Sequence, residues 1–134
     1  MKRIIRAGAG SVLLLFGAGP AFAHHPFASE FDSRAPLTLS GAVTQVAWNE
    51  PHVYVHVDVK DPSGATRNWN LELASPAVLA QKGWSKDTLK RGEVITVKGY
   101  RAKAEPFVAA ARMIEMPGGK PLSSADDDDG GPNQ

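Results

Sequence analysis

Four histidines are the most distinctive polar residues of this 134-residue chain. Two of them, His24 and His25, directly follow the small-residue site Ala21-Phe22-Ala23. Cleavage after Ala23 makes His24 the new N-terminus, with a free α-amine and an imidazole on one residue. Its amine and Nδ1 can close a chelate ring on a metal ion, a histidine brace when another imidazole joins. His25 offers a second mode, through the amine, its own deprotonated amide and its imidazole. Nitrogen donors of this kind favour Cu(II), by affinity order and by tetragonal geometry. The amine must shed a proton to bind, and free α-amines titrate at ~7.7–8.0, so acid weakens such a site.

A further ligand has to come from the body of the chain. His52 and His56 lie on one face of an expected strand. At ~3.3 Å per residue their Cα atoms stand about 13 Å apart, too far to share one ion. His52, at the strand entrance beside Pro51, is the better ligand, with Glu50 as an outer hydrogen-bonding partner. The bland alternatives are a tolerated cleavage boundary at His24-His25 and a turn histidine bonded to backbone at His52. A separate polar face, with Tyr54, His56, Asn68 and Asn70, is where a ligand would lie on a small barrel. Trp48, Trp69 and Trp84 read as core more readily than as a ligand groove.

The chain's address follows from residues 1–23. Lys2, Arg3 and Arg6 precede an apolar stretch from Ala7 to Phe16, then Gly-Ala-Gly-Pro and the Ala-x-Ala site. That order is that of a secretory signal. The stretch is shorter than the ~20 apolar residues of a membrane span, so no stable anchor is expected after cleavage. Removing residues 1–23 takes three of 15 basic residues and leaves 12 against 14 acidic ones, net −2, in a mature chain of 111 residues. That balance argues against nucleic acid as a partner. With no cysteine, packing alone must hold one domain.

Apolar alternation then places the elements. Leu37, Leu39, Gly41 and Val43 share one parity, and Val46 and Trp48 the other. A parity switch inside a strand marks a bulge that bends it. Val53, Val55, Val57 and Val59 face inward, with His52, Tyr54, His56 and Asp58 outward. Asp61-Pro62-Ser63-Gly64 is a turn. Trp69, Leu71 and Leu73 form the inner face of a third strand. Ser75 caps a short helix started by Pro76 and ended by Gly83. Strands over 93–100 and 107–116 follow. The order β-β-β-α-β-β, with a bent first strand, predicts a mainly β fold, a small five-stranded OB-like Greek-key barrel with one helix between strands three and four. An open sandwich or roll is the competitor. The domain is expected over 37–116, after an N-terminal arm at 24–36 and before a disordered acidic tail at 117–134.

Several short patterns carry a resemblance. They are His24-His25-Pro26-Phe27 with Glu30-Phe31-Asp32, Leu39-x-Gly41, Val46-x-Trp48-Asn49-Glu50-Pro51-His52, Trp69-x-Leu71-Glu72-Leu73-x-Ser75-Pro76, Gly83-Trp84 and Gly92-Glu93-x-Ile95-x-Val97-x-Gly99. Together they resemble the uncharacterised exported bacterial family DUF6152, over His24 to about Met116. The resemblance implies export and a small β fold, and no activity. Pro26 and Glu50 depart from the family pattern, where Ser and Asn are usual, and Glu50 sets an extra carboxylate beside His52.

There is no cysteine nucleophile, Gly-x-Ser-x-Gly elbow, His-Glu-x-x-His or phosphate loop, so the expectation is a binding module rather than an enzyme. The leading reading is a periplasmic module that holds copper through His24, with His25 and His52. The second is a metal-free module that takes a protein or small ligand on the barrel face, and a copper-dependent oxidase ranks third.

Overall fold

The computed structural model describes residues 25–133; the expected signal peptide and His24 lie outside the described residues. The valine alternation builds the wall of the fold. β2 (Tyr54–Lys60) buries Val55, Val57 and Val59, while β3 (Thr66–Glu72) buries Trp69 and Leu71. The two pair antiparallel, with Val57 opposite Trp69 and Tyr54 opposite Glu72.

β1 (Phe31–Ala47) runs for 17 residues and serves two neighbours. Its second half pairs with β2, and its first half with β4 (Val94–Ala102). The register slips between Val43 and Gln45, inside the stretch where the sequence changes parity. An extra residue there bends the strand and lets it turn from one partner to the other. β5 (Val108–Glu115) pairs antiparallel with β4 and returns parallel to β3 through Asn70–Val108 and its neighbours. The strand order β3-β2-β1-β4-β5, closed by β3–β5, is a barrel-like ring of OB-like topology. Closure leaves few open edges.

Where strands cross closely, only glycine fits. A Cβ on Gly41 would run into the Asp58 carbonyl, and one on Gly99 into the Ala110 carbonyl. Inside the ring, Val43, Val53, Leu71, Ile95, Val97 and Ile114 are fully buried. α2 (Pro76–Gln81) adds Leu79 to this core; Ser75 Oγ caps it by accepting from the Val78 amide at 3.3 Å. Trp69 and Trp84 are each 4% exposed within the core, and Trp48 packs on it half-buried. Among the described residues no helix is long and apolar enough to cross a membrane.

Two expected boundaries move. The arm is not separate from the sheet: α1 (Phe27–Glu30) leads straight into β1 at Phe31. Phe27 and Phe31 pack with Tyr100 and Ala110 into a second apolar cluster. The segment after 117, expected to be disordered, instead folds back on the ring. β6 (Leu122–Ser123) pairs with Met113 and Ile114 of β5. Trp84 Nε1 donates to the Ser123 carbonyl at 2.8 Å, and Lys82 meets Asp127 at 2.7 Å. The physical reason is Arg112, only 2% exposed on β5. A buried guanidinium needs a carboxylate, and Asp129 supplies both oxygens, at 2.6 and 2.9 Å. Composition describes the tail's own solubility, but not this distant partner.

Two outcomes test this architecture. Gly99→Ala should lower unfolding stability by about 1–3 kcal/mol through overpacking, read from the urea midpoint. Asp129→Ala should cost about 3–5 kcal/mol, because it strands a buried charge; a solvated tail would give no change in the same measurement.

Candidate functional site

One small cavity collects most of the residues with chemistry. His52 stands three residues after Asn49, past a cis Glu50–Pro51 peptide, just ahead of β2. Its ring is pinned: Nδ1 lies 3.1 Å from the Leu73 carbonyl. A carbonyl only accepts, so Nδ1 carries the proton and donates. Nε2 is then the nitrogen that faces the Glu72 carboxylate, at 3.7 Å. A backbone carbonyl holding one imidazole nitrogen is the usual way a protein orients the other toward a ligand.

Glu72 sits at the end of β3 and joins two side chains. Tyr54 donates its hydroxyl to Glu72 Oε2 at 3.2 Å, across the β2–β3 register. Burial pushes the Glu72 carboxyl above its ordinary range, the nearby His52 pulls it back, and the charge of Glu30 adds to the rise. Burial, then the charge of Glu72 and the hydrogen bond to it, push the Tyr54 phenol up to about 12. The Tyr54 hydroxyl therefore remains a donor throughout the physiological range.

The same cavity is lined by His25, Glu30, His52, Glu72, Ser124, Asp126 and Asp129. It offers about 20 Å³ to the centre of a water molecule, room for a single water or ion. Thus the N-terminal arm and the His52 turn, 27 residues apart in sequence, meet at one place. The arm is fixed there by the tail: the Phe27 amide donates to the Asp129 carbonyl at 2.9 Å, and the Arg112 guanidinium covers the Phe27 ring at 5.0 Å. Among the described residues no group of three or more His, Cys, Asp or Glu side chains is placed to hold a metal by itself. His24, the residue on which the expected brace depends, lies outside the described residues.

The other expected residues fall as follows. Glu50 is exposed, and the carboxylate beside His52 is that of Glu72 instead. The reason is the hairpin register, which sets the end of β3 against the start of β2. His56 is on the outer face with its Nδ1 3.3 Å from Asn68 Oδ1. Asn68 in turn donates to Asp58 at 2.8 Å and to Thr44 at 3.2 Å, a self-satisfied surface network. Tyr54 and Asn70 separate from that pair and line a groove of about 380 Å³ with Glu30, Glu72, Lys103 and Glu105. Asn70 Oδ1 is buried there without a hydrogen-bond partner. Sequence reasoning missed Glu72 as a site residue, together with Ser124, Asp126 and Asp129. Only the Glu72 alternation with Trp69 and Leu71 carried a local signal.

No curated protein shows a significant match to the chain. A crystal structure of the mitochondrial single-stranded DNA binding protein Rim1 from S. cerevisiae is similar at a TM-score of 0.47 and 10% sequence identity, covering 61% of this chain and 92% of that chain. The sequence pattern carries further: a family model matches residues 12–107, from within the expected signal segment to the turn before β5. By that match the chain belongs to DUF6152, a family of unknown function.

Proposed function

We propose that this protein is an exported, periplasmic binding module that holds Cu(II) at its mature N-terminus, through His24 with His25 and His52, and performs no catalysis of its own. The observation that carries the reading is the convergence of His25 and His52 on one ion-sized cavity. His24 directly precedes His25 in the sequence. The carbonyl-anchored His52 ring brings Nε2 beside Glu72. A nitrogen-rich set with a neighbouring carboxylate suits Cu(II) by affinity order. The cavity has room for an ion and little else, which favours carriage or buffering over turnover of a substrate.

A second reading has one observation of its own. The groove beside Tyr54 and Asn70 holds a buried, unpaired amide oxygen, and a small ligand bearing a hydrogen-bond donor would satisfy it.

Calorimetric titration of Cu(II) into the protein beginning at His24, against a version with one extra residue before His24, separates the two. The extension should weaken binding by a hundredfold or more if amine and imidazole chelate together, a loss of about 2.7 kcal/mol or more. Equal affinity in both forms would sink the copper reading and leave the groove. His52→Ala should weaken binding by about tenfold or more without abolishing it. Affinity should also fall as pH drops from about 8 to about 6, by about tenfold per unit for each proton displaced. The sign follows from the amine, which is protonated and unable to bind below its own titration.

A further inference from the structure

We propose that the groove beside Tyr54 and Asn70 binds a small organic cation, a primary ammonium group on a short apolar body. The inference rests on the second reading above, gives that ligand a chemical class, and needs no metal.

The groove lies where three pieces of the fold come together. Glu30 and Phe31 enter from the end of α1 and the start of β1, Tyr54, Asn70 and Glu72 from β2 and β3, and Lys103 and Glu105 from the turn between β4 and β5. Its volume of about 380 Å³ falls within the range of small-molecule sites, roughly 300–1,000 Å³. The backbone around it is tied together. The Lys103 amide donates to the Glu30 carbonyl and the Asn70 amide to the Phe107 carbonyl, both at 2.9 Å. The rims are therefore fixed before anything binds, and a ligand need not order them.

The polar groups facing the groove are mostly acceptors. Tyr54 uses its one proton on Glu72 Oε2, so its oxygen can only accept from a ligand. Asn70 Oδ1 is buried without a partner, and the broad terminal torsion of an asparagine lets it swing to a donor in the groove. Two donors at the rim are already engaged: Ser29 Oγ with the Pro26 carbonyl at 2.7 Å, and Lys103 Nζ with the Ala28 carbonyl. Lys103 brings one positive charge against the carboxylates of Glu30, Glu72 and Glu105. Among the described residues neither Glu30 nor Glu105 has an ion-pair partner. Arg67 and Arg101 do not line the groove; they stack on the Phe107 and Trp69 rings. Burial leads in raising the Glu72 carboxyl and the Tyr54 phenol, and the charge of Glu30 adds to both. Acceptors with surplus negative charge select a cation that only donates, and an ammonium has three N–H donors and no acceptor. Phe31, Ala102 and Val108 supply an apolar wall for a short hydrocarbon body. Among the described residues the carboxylates do not converge as a set that could hold a bare metal ion.

The test is an NMR titration of the chain beginning at His24, with a chelator present, against n-butylammonium, butyltrimethylammonium, butan-1-ol and butyrate. n-Butylammonium should shift the amides of Tyr54, Asn70, Lys103, Ala104 and Val108. Butan-1-ol, which lacks the charge, should bind about tenfold more weakly. Butyltrimethylammonium, a cation without N–H donors, should also bind about tenfold more weakly, and butyrate should not bind. Glu30→Gln, at an exposed residue, should weaken n-butylammonium about three- to tenfold and leave butan-1-ol unchanged. Equal affinity for n-butylammonium and either butan-1-ol or butyltrimethylammonium would overturn the assignment while the groove still binds small ligands. An unchanged n-butylammonium affinity in the double variant Glu30→Gln, Glu105→Gln would do the same. Shifts from none of the four probes would remove the groove reading as well.

Discussion

A guanidinium buried on β5 holds the C-terminal segment and the Phe27 arm together. Arg112 is 2% exposed, and a lone charge at such depth costs several kcal/mol unless it is paired and hydrogen-bonded. The chain meets that demand with its last residues: Asp129 takes two of the guanidinium's N–H groups and the Pro132 carbonyl a third. Once the tail is there, its backbone receives the Phe27 amide, and the Arg112 plane has an aromatic face to lie on. One buried charge thereby joins β5, the tail and the N-terminal arm, and closes the cavity that His25 and His52 share.

The strand ring supplies the other wall. Bending of β1 at the Val43–Gln45 bulge lets five strands close, so the end of β3 pairs with the start of β5, while β2 lies on the other side of β3. That geometry sets Glu72 between Tyr54 and His52. Burial raises the Glu72 carboxyl, and the same burial with the adjacent carboxylate keeps Tyr54 protonated. A cation near His52 Nε2 would find a carboxylate that has lost part of its hydration and gains from being neutralised.

The periodic segments were legible because each is a local decision. Alternation of Val53 to Val59 against His52 to Asp58 states which side chains face inward, and the side-chain period of a strand admits no other assignment. The Ser75-Pro76 cap and the parity change within β1 are equally local, and the structure shows both as expected. The tail was misread for the converse reason. Four consecutive aspartates look like a solvated run until one of them finds a buried cation 17 positions away. A clue lay in Val108-Ala109-Ala110-Ala111-Arg112, an apolar run without alternation. Such a run marks a strand covered on both faces, and it leaves an arginine in need of a cover.

By itself the sequence determined the inner faces of the strands, the bulge, the helix cap and family membership, because residue types and their short spacings act over a few bonds. Tertiary structure alone decided that β3 and β5 close the ring, that Glu72 rather than Glu50 accompanies His52, and that the tail completes the cavity. Those outcomes depend on strand register and on one long-range ion pair, and neither leaves a periodic mark in the chain.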